Sequence, residues 1–283
     1  MQKTILITGA SSGIGKATAL YFAQRGWNVI ATMRHPEKET ELIQYPTILV
    51  TSLEVTHPDS IVTAIEKGID KFGQIDAVLN NAGYGQQGLF EAITAEQVQQ
   101  QFDVNVFGLM NVTRAILPYL RKQKTESVLV NITSGVGKIP FPMTSVYTAS
   151  KFAIEGFVEA LAYELDSQQI KVKIIEPGYV QTNFHERAAT EFATDTTLSD
   201  YQDFLTQTTE LLGSLSSVEV FTPEDVAATI FTSVTDGTHQ LRYVAGRDIE
   251  QMIAYRKEKT EQEYVTFLRG MFAPQGFENK KLK

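Results

Sequence analysis

Hydrophobic and polar positions alternate between two patterns along the chain. Seven short runs rich in valine, isoleucine and leucine predict β-strands, and the first run is typical of a strand buried on both faces. The runs lie at residues 3–8, 28–32, 47–51, 77–80, 127–133, 171–176 and 242–245. Between most of these runs, apolar residues recur at helical spacing. Strands that alternate with helices are typical of an α/β fold.

Residues typical of helix N-termini predict where the longer helices begin. Thr94-x-x-Gln97 is a capping box and predicts one long helix that continues to about Leu120. A second start is predicted at Thr222, which precedes a proline and two acids. Further helices are predicted at about 58–72 and 147–165, and two short ones near the C-terminus.

The length of 283 residues fits one large α/β domain, because no linker or change of composition divides the chain. We therefore predict a single dinucleotide-binding catalytic domain over 1–283. Residues 183–222 form a long insertion beyond the sixth strand, and its many phenylalanines and leucines predict a substrate lid for an apolar substrate. Residues 248–283 are predicted to form a C-terminal helical extension.

Composition excludes several classes of protein. The absence of cysteine excludes disulfides, thiolate metal sites and cysteine nucleophiles, and favours a reducing, cytoplasmic setting. A formal net charge of −8 argues against nucleic acid as a partner. We expect neither a membrane span nor a signal sequence, because no apolar run approaches roughly 20 residues and the first strand begins close to Met1. Four scattered histidines show no metal-ligand spacing, so no metal site is expected.

A glycine-rich turn follows the first strand and opens a helix. Gly9, Gly13 and Gly15 allow the backbone to approach a pyrophosphate, and the N-terminus of the helix presents free N–H groups to the anion. The segment therefore predicts a dinucleotide site, and a tight turn without a ligand is the alternative.

The end of the second strand indicates which dinucleotide binds. NAD-binding Rossmann units usually carry an acid here for the ribose hydroxyls, whereas this chain has Met33 followed by Arg34. A guanidinium without the acid favours a 2′-phosphate and hence NADP(H). The alternative is a solvated loop arginine near Glu37, Glu39 and Glu41.

Two further strand ends carry candidate ligand contacts. Asn81-Ala82-Gly83 follows the fourth strand, in the crevice where α/β sheets bind ligands, although an ordinary Asn/Gly turn is the alternative. Glu54 and Val55 follow the third strand, where an adenine ring is expected.

The candidate chemistry centres on Tyr147 and Lys151, which share one face of a helix. A cation about 4 Å from a phenol, at an effective dielectric near 20, contributes about 4 kcal/mol, on the order of three pKa units. This predicts a phenol that exchanges a proton near neutral pH. The spacing alone is weak evidence, because Tyr255 and Lys259 repeat it in a segment typical of a solvated helix face.

Two more polar residues accompany this pair. Ser134 ends the fifth strand, thirteen residues before Tyr147. Asn105 lies among apolar positions of the long helix, where a buried amide requires partners. It is either a satisfied core asparagine or part of a site.

The chain resembles the short-chain dehydrogenase/reductase family in six motifs that follow the family's order. They are Thr8-Gly9-x3-Gly13-x-Gly15, Asn80-Asn-Ala-Gly83, Asn105, Ser134, Tyr147-x3-Lys151 and Pro177-Gly178. The resemblance covers about residues 3–182. It implies a Rossmann-like, doubly wound parallel sheet of about seven strands with helices on both faces.

The resemblance also implies roles for single residues. Tyr147 is expected to be the general acid/base, and Ser134 to hydrogen-bond the substrate oxygen where charge develops. Lys151 is expected to lower the tyrosine pKa and bind the nicotinamide ribose, and Asn105 to hold a water in a proton relay. Glu54 stands where the family commonly has aspartate. The expected cofactor-binding residues are Gly9, Ser11, Ser12, Gly13, Ile14, Gly15, Arg34, Glu54, Val55, Asn81, Ala82, Gly83, Tyr147, Lys151, Pro177, Gly178, Val180 and Thr182.

The expected function is that of an NADP(H)-dependent oxidoreductase that interconverts a carbonyl and an alcohol on an apolar substrate, with the proton transferred through Tyr147. One alternative is an NAD-dependent alcohol dehydrogenase, and another is a non-catalytic regulator that senses NADP(H). The resemblance implies a homodimer or homotetramer, with the helices around Asn105 and Tyr147 as candidate interfaces.

Overall fold

The computed structural model describes residues 2–123, 125–215 and 221–272. Within these residues, seven strands form one parallel sheet with the order β3-β2-β1-β4-β5-β6-β7. The strands are β1 (Thr4–Thr8), β2 (Asn28–Met33), β3 (Ile48–Ser52), β4 (Ala77–Asn80), β5 (Ser127–Ile132), β6 (Ile170–Pro177) and β7 (Arg242–Ala245). All seven predicted strands are confirmed, because each is a short apolar run that the sheet buries.

Ten α-helices accompany the sheet in the described residues. They are α1 (Gly13–Gln24), α2 (Pro58–Phe72), α3 (Ala95–Phe102), α4 (Leu109–Gln123), α5 (Ser145–Asp166), α6 (Asn183–Thr190), α7 (Gln202–Leu215), α8 (Pro223–Thr235), α9 (Arg247–Glu258) and α10 (Glu261–Phe272). None of these helices combines the length and the apolar character that a bilayer span requires.

The sheet is covered on both faces, as predicted. Successive side chains of β1 point to opposite faces. Ile5 packs in a core with Phe22 of α1 and with α8, whereas Leu6 packs in a second core with Ile65 of α2 and with α4 and α5. The fold is therefore a doubly wound, Rossmann-like α/β sheet. The strand order reverses direction between β1 and β4, and in such sheets ligands bind outside the carboxyl ends at this point.

The long helix predicted from Thr94 to about Leu120 is not continuous. Its capping box is present, but a π-helical segment, Asp103–Gly108, separates α3 from α4. Asn105 lies in this segment and hydrogen-bonds to the backbone of Tyr84, which belongs to another part of the chain. The prediction of one regular helix was wrong because these contacts between distant parts of the chain are not visible in helical periodicity. π-Bulges occur frequently at functional sites.

The predicted lid contains secondary structure of its own. Helices α6 and α7 lie within residues 183–222, and isolated bridges tie this region to the body near its start, at Ala193 with Gly88, and at its end, at Phe221 with Val180. Helices α9 and α10 lie in the predicted C-terminal extension, as far as Phe272. Residues 216–220 of the lid and 273–283 of the extension lie outside the described residues.

Candidate active site

The glycine-rich turn between β1 and α1 has the conformation that its sequence predicts. Gly9 and Gly13 have φ angles of 69° and 52°, in the left-handed region that favours glycine. A side chain at Gly15 would collide with the carbonyl oxygen of Gly9. Ser12 precedes α1 without a capping hydrogen bond from its side chain, and the first turn carries no acid. The helix N-terminus is thus suited to an anion.

The segment after β4 fixes this turn in place. Nδ2 of Asn81 donates hydrogen bonds to the carbonyl oxygens of Thr8 (2.9 Å) and Gly9 (3.1 Å). The backbone N–H groups of Asn81 and Ala82 both donate to Oγ1 of Thr8. The Asn81 side chain therefore braces the backbone of the turn. Its predicted contact with a cofactor ribose stays a prediction.

Arg34 lies where the 2′-phosphate of NADP is expected. Its side chain is 61% exposed, and its Nε lies 3.9 Å from a carboxylate oxygen of Glu54, the other residue predicted to lie near the adenosine. The acids at 37, 39 and 41 pair instead with His35 and Lys16. The guanidinium is therefore held beside Glu54 and remains accessible to an anion.

Tyr147 and Lys151 lie on one face of the N-terminal part of α5, and both are more than nine-tenths buried. Nζ of Lys151 donates a 3.0 Å hydrogen bond to the carbonyl oxygen of Ile132 at the end of β5, and lies 5.7 Å from the ring centre of Tyr147. Burial lowers the pKa of Lys151 to about 8, opposed by the negative charge of Glu155. The ammonium group is thus close to losing its proton at neutral pH.

The phenol does not have the near-neutral pKa that the sequence suggested. Burial raises the pKa of Tyr147 to about 12, and a hydrogen bond with Ser134 opposes the rise only in part. The expectation that Lys151 outweighs burial is wrong for this structure, because its Nζ is directed at the Ile132 carbonyl. Tyr147 therefore holds its proton firmly and is suited to donate it to a developing alkoxide.

Ser134 is delivered to Tyr147 by the end of β5. It starts a 3-10 turn, Gly135–Gly137, and its Oγ accepts a 3.3 Å hydrogen bond from the N–H of Val136. A side chain at Gly135 would collide with Ile249 of α9. The serine is therefore positioned by its own turn and by the C-terminal extension behind it.

Asn105 is both a satisfied core residue and, through Ser150, linked to the backbone of Tyr147. Its Oδ1 accepts from the N–H of Tyr84 at 3.0 Å, and its Nδ2 donates to the carbonyl oxygen of Tyr84 at 2.8 Å. Nδ2 also lies 3.3 Å from Oγ of Ser150, which donates to the carbonyl oxygen of Tyr147. The side chain thus anchors the loop at Tyr84 to α5, and its predicted role in a water relay stays a prediction.

Two buried glutamines that the sequence did not single out extend this anchor. Oε1 of Gln101 accepts from the N–H of Gln86 at 2.6 Å, and its Nε2 donates to the carbonyl oxygen of Tyr84 at 2.9 Å. The side chain of Gln86 in turn donates to the carbonyl oxygen of Glu191, just beyond α6. Gln101 lies one helical turn before Asn105, and this spacing was the one available signal.

The loop after β6, Pro177–Thr182, meets the glycine turn. A Cβ added to Gly13 would lie 3.3 Å from the methyl group of Thr182, so the two loops are neighbours. Asp248 of α9 accepts a 2.9 Å hydrogen bond from the N–H of Tyr179, and a side chain at Gly178 would collide with its carboxylate. No sequence motif indicates Asp248, because only the tertiary structure brings it to this loop.

The lid helix α6 closes over the tyrosine. The ring centre of Phe184 lies 5.6 Å from that of Tyr147, and a side chain at Gly85 would collide with Phe184. His185 stacks on Tyr179 at 4.3 Å, and burial lowers its pKa. The described residues contain no group of acids and histidines that could hold a metal ion. Aromatic side chains of α6 and of the loop after β6 thus lie beside Tyr147.

Comparison with known proteins gives this geometry a context. A family model described as short chain dehydrogenase matches residues 3–192. An uncharacterized oxidoreductase of Schizosaccharomyces pombe is 36% identical over 237 residues, which cover 82% of this chain and 96% of that protein. A 3-ketodihydrosphingosine reductase of Bacteroides thetaiotaomicron is 41% identical over 180 residues, 64% of this chain and 65% of that protein.

Solved structures share the fold. A short-chain dehydrogenase from Streptomyces avermitilis has a TM-score of 0.81 and 30% identity, and the match covers 95% of this chain and 97% of that one. A structure named ElxO with NADP bound has a TM-score of 0.71 and 26% identity, covering 87% and 98%. A Burkholderia phymatum protein in complex with NAD has a TM-score of 0.78 and 22% identity, covering 93% and 95%. Proteins of this fold thus bind either nucleotide.

The contact between Asp248 and Tyr179 is open to a direct test. Substituting Asp248→Ala leaves the Tyr179 N–H without its acceptor, at a cost of about 1–3 kcal/mol. We expect hydrogen–deuterium exchange of the peptide covering 177–182 to accelerate. The control is Glu250→Ala, an exposed residue of the same helix, which should leave exchange unchanged. Equal exchange in both variants would show that Asp248 does not hold this loop.

Proposed function

The chain belongs to the short-chain dehydrogenase family of oxidoreductases, and on this premise we propose that it is an NADP(H)-dependent enzyme interconverting a carbonyl and an alcohol on an apolar substrate. The observation that carries the proposal is the convergence of Ser134, Tyr147 and Lys151 at the end of β5. A protein that only senses a nucleotide has no evident need for this group. The proposed setting is cytoplasmic, in line with the cysteine-free composition.

Each side chain has a task in this mechanism. Ser134 donates a hydrogen bond to the substrate oxygen, where negative charge develops. Tyr147 gives its proton to that oxygen in reduction and takes it back in oxidation. The ammonium group of Lys151 stabilises the phenolate that remains. The nicotinamide, when bound, supplies or accepts the hydride. A relative that is by name a reductase of a keto compound supports the reductive direction.

Residues of the glycine turn and of the loops after β4 and β6 would hold the cofactor. The turn and the N-terminus of α1 suit its pyrophosphate, and Val180 and Thr182 are proposed to contact the carboxamide. The exposed guanidinium of Arg34 supports NADP over NAD. The lid supports an apolar substrate, because Phe184 packs against the ring of Tyr147.

Replacing the proposed acid tests the chemistry. Tyr147→Phe removes the hydroxyl and keeps the ring, so we expect carbonyl reduction to fall by about 10²- to 10⁴-fold. The measurement is nicotinamide absorbance with a panel of aldehydes, ketones and alcohols. The matched control is Tyr255→Phe, since Tyr255 has a lysine at the same spacing and a similar distance, 5.6 Å. Undiminished activity in Tyr147→Phe would refute the proposed role.

Nucleotide preference is tested at Arg34. A charged hydrogen bond to the 2′-phosphate contributes about 1.5–3 kcal/mol, so Arg34→Ala should weaken NADPH binding roughly 10- to 150-fold. NADH binding should not change. Isothermal titration with both nucleotides measures the two dissociation constants, and Arg121→Ala, an exposed arginine at the end of α4, is the control. Tighter binding of NADH than of NADPH by the unmodified protein would favour the NAD-dependent alternative.

We also propose that the protein is a homodimer or homotetramer that associates through the helices around Asn105 and Tyr147. Large apolar side chains on these helices face outward: Phe107 is 48% exposed, Phe152 38% and Tyr163 76%. Phe152 and Tyr163 are three helical turns apart on α5 and lie on the same face. Gly156 lies between these two residues and has no side chain, and a Cβ added there would have no described neighbour within 4 Å. This face is suited to another apolar surface.

Charge introduced on this face should separate the subunits. Phe152→Glu is expected to convert the dimer or tetramer into a smaller species in sedimentation velocity, because association would bury the carboxylate. Ile43→Glu is the control, since Ile43 is 60% exposed on a different part of the surface. A monomeric unmodified protein, or an unchanged assembly in Phe152→Glu, would rule out this interface.

A further inference from the structure

A buried carboxylate lies one helical turn beyond Lys151. Glu155 is 4% exposed and accepts hydrogen bonds from Oγ1 of Thr133 (2.7 Å) and Nε of Arg242 (3.1 Å), while Nζ of Lys138 lies 2.7 Å from its second oxygen. Thr133 is the residue before Ser134. Glu155 therefore binds the strand end that delivers the serine, and its charge acts on Lys151.

A second acid faces the same two cations. Glu176, at the end of β6, lies 3.5 Å from Arg242 and 4.0 Å from Lys138, and one of its buried oxygens has no hydrogen-bond partner. Burial and the negative charge of Glu155 raise the pKa of Glu176 to about 7. Glu155, one helical turn from Lys151 on α5, is the acid of this pair whose charge acts on Lys151.

Charged groups from five elements surround Glu155 and Glu176, the two acids that face Lys138 and Arg242. Lys151 and Glu159 belong to α5. A carboxylate oxygen of Glu159 lies 2.6 Å from Nη2 of Arg242. The remaining groups are Lys138 of the turn after β5, Glu176 of β6, Arg242 of β7, Lys257 of α9 acting on Glu176, and Arg256 of α9 donating to the Lys138 carbonyl. Glu155 is the member that both contacts the cations and adjoins Lys151.

We propose that Glu155 is a positioning residue of the catalytic centre: through its charge and its bond to Thr133 it keeps Lys151 protonated and Ser134 in place. This inference rests on the proposed function of Lys151. With Glu155 ionised, Lys151 has a negative charge one helical turn away, and that charge offsets part of the two cations bound to Glu155. Without it, the cations of Lys138 and Arg242 are less fully offset, and like charges favour the neutral form of Lys151.

The direction of the effect follows from this arrangement. Carbonyl reduction needs Lys151 charged, so its rate should fall as pH rises through the lysine pKa of about 8. In Glu155→Gln the fall should begin about two pH units lower, the size expected for a charge about one helical turn away at an effective dielectric near 20. The kcat should change while the KM for the carbonyl substrate does not. A purely structural role would lower activity equally at every pH.

The titration of Lys151 can be measured without turnover. In protein with ¹³C-labelled lysine, the Cε resonance that is lost in Lys151→Arg should titrate about two units lower in Glu155→Gln than in the unmodified protein. Glu155→Asp keeps the charge and should restore the midpoint. The matched control is Glu159→Gln, which removes a partner of Arg242 one turn farther from Lys151 and should leave the midpoint unchanged.

If Glu155→Gln does not fold, a second variant that is expected to shift the Lys151 midpoint in the opposite direction tests the inference. Lys138→Met removes a cation from Glu155, so the Lys151 midpoint should rise. A midpoint that is unmoved in both Glu155→Gln and Lys138→Met, or that moves equally in Glu159→Gln, would overturn the role of Glu155. Failure of the proposed function is a separate result. It would appear as an unmodified protein without turnover on any carbonyl or alcohol, and the resonance titration does not depend on turnover.

Discussion

The burial of the Lys151 ammonium group is the constraint on which the rest of the site depends. Lys151 reaches the interior at the carboxyl end of β5, where its Nζ finds a single carbonyl oxygen at 3.0 Å. Removing a charge from water is costly, and here the cost appears as a pKa lowered to about 8. The acids around Lys138 and Arg242 lie where they oppose that shift. The electrostatics of the centre therefore depend on residues that never contact a substrate.

Two tyrosine–lysine pairs in this chain show that helical spacing alone does not identify a candidate active site. Lys151 lies 5.7 Å from the ring of Tyr147, and Lys259 lies 5.6 Å from the ring of Tyr255. Helical geometry therefore produces the same pair twice. Only the first pair is nine-tenths buried, with its tyrosine hydrogen-bonded to Ser134, whereas Tyr255 packs against Phe267 between α9 and α10. The difference between the two is made by the tertiary structure.

This distinction also explains what the sequence could predict. The strands, the capping boxes and the glycine turn depend on local composition, and all were confirmed. The π-helical break at Asn105 depends on a hydrogen bond to Tyr84, twenty-one residues earlier in the chain. Glu155 and Asp248 become recognisable only when β7 and α9 are in place. The near-neutral phenol was mispredicted because a helical spacing gives the position of a cation but neither its direction nor its burial.

Helix α9 shows how far such tertiary dependence extends. Gly135 and Gly178 look in sequence like flexible turn residues, but neither has a left-handed backbone conformation. Neither position has room for a side chain, because α9 lies against both. Ile249 occupies the space beside Gly135, and Asp248 occupies the space beside Gly178. One of these glycines follows Ser134, the proposed partner of the substrate oxygen, and the other begins the proposed nicotinamide loop. A single helix of the C-terminal extension thus packs against both the segment proposed for proton transfer and the segment proposed for the cofactor.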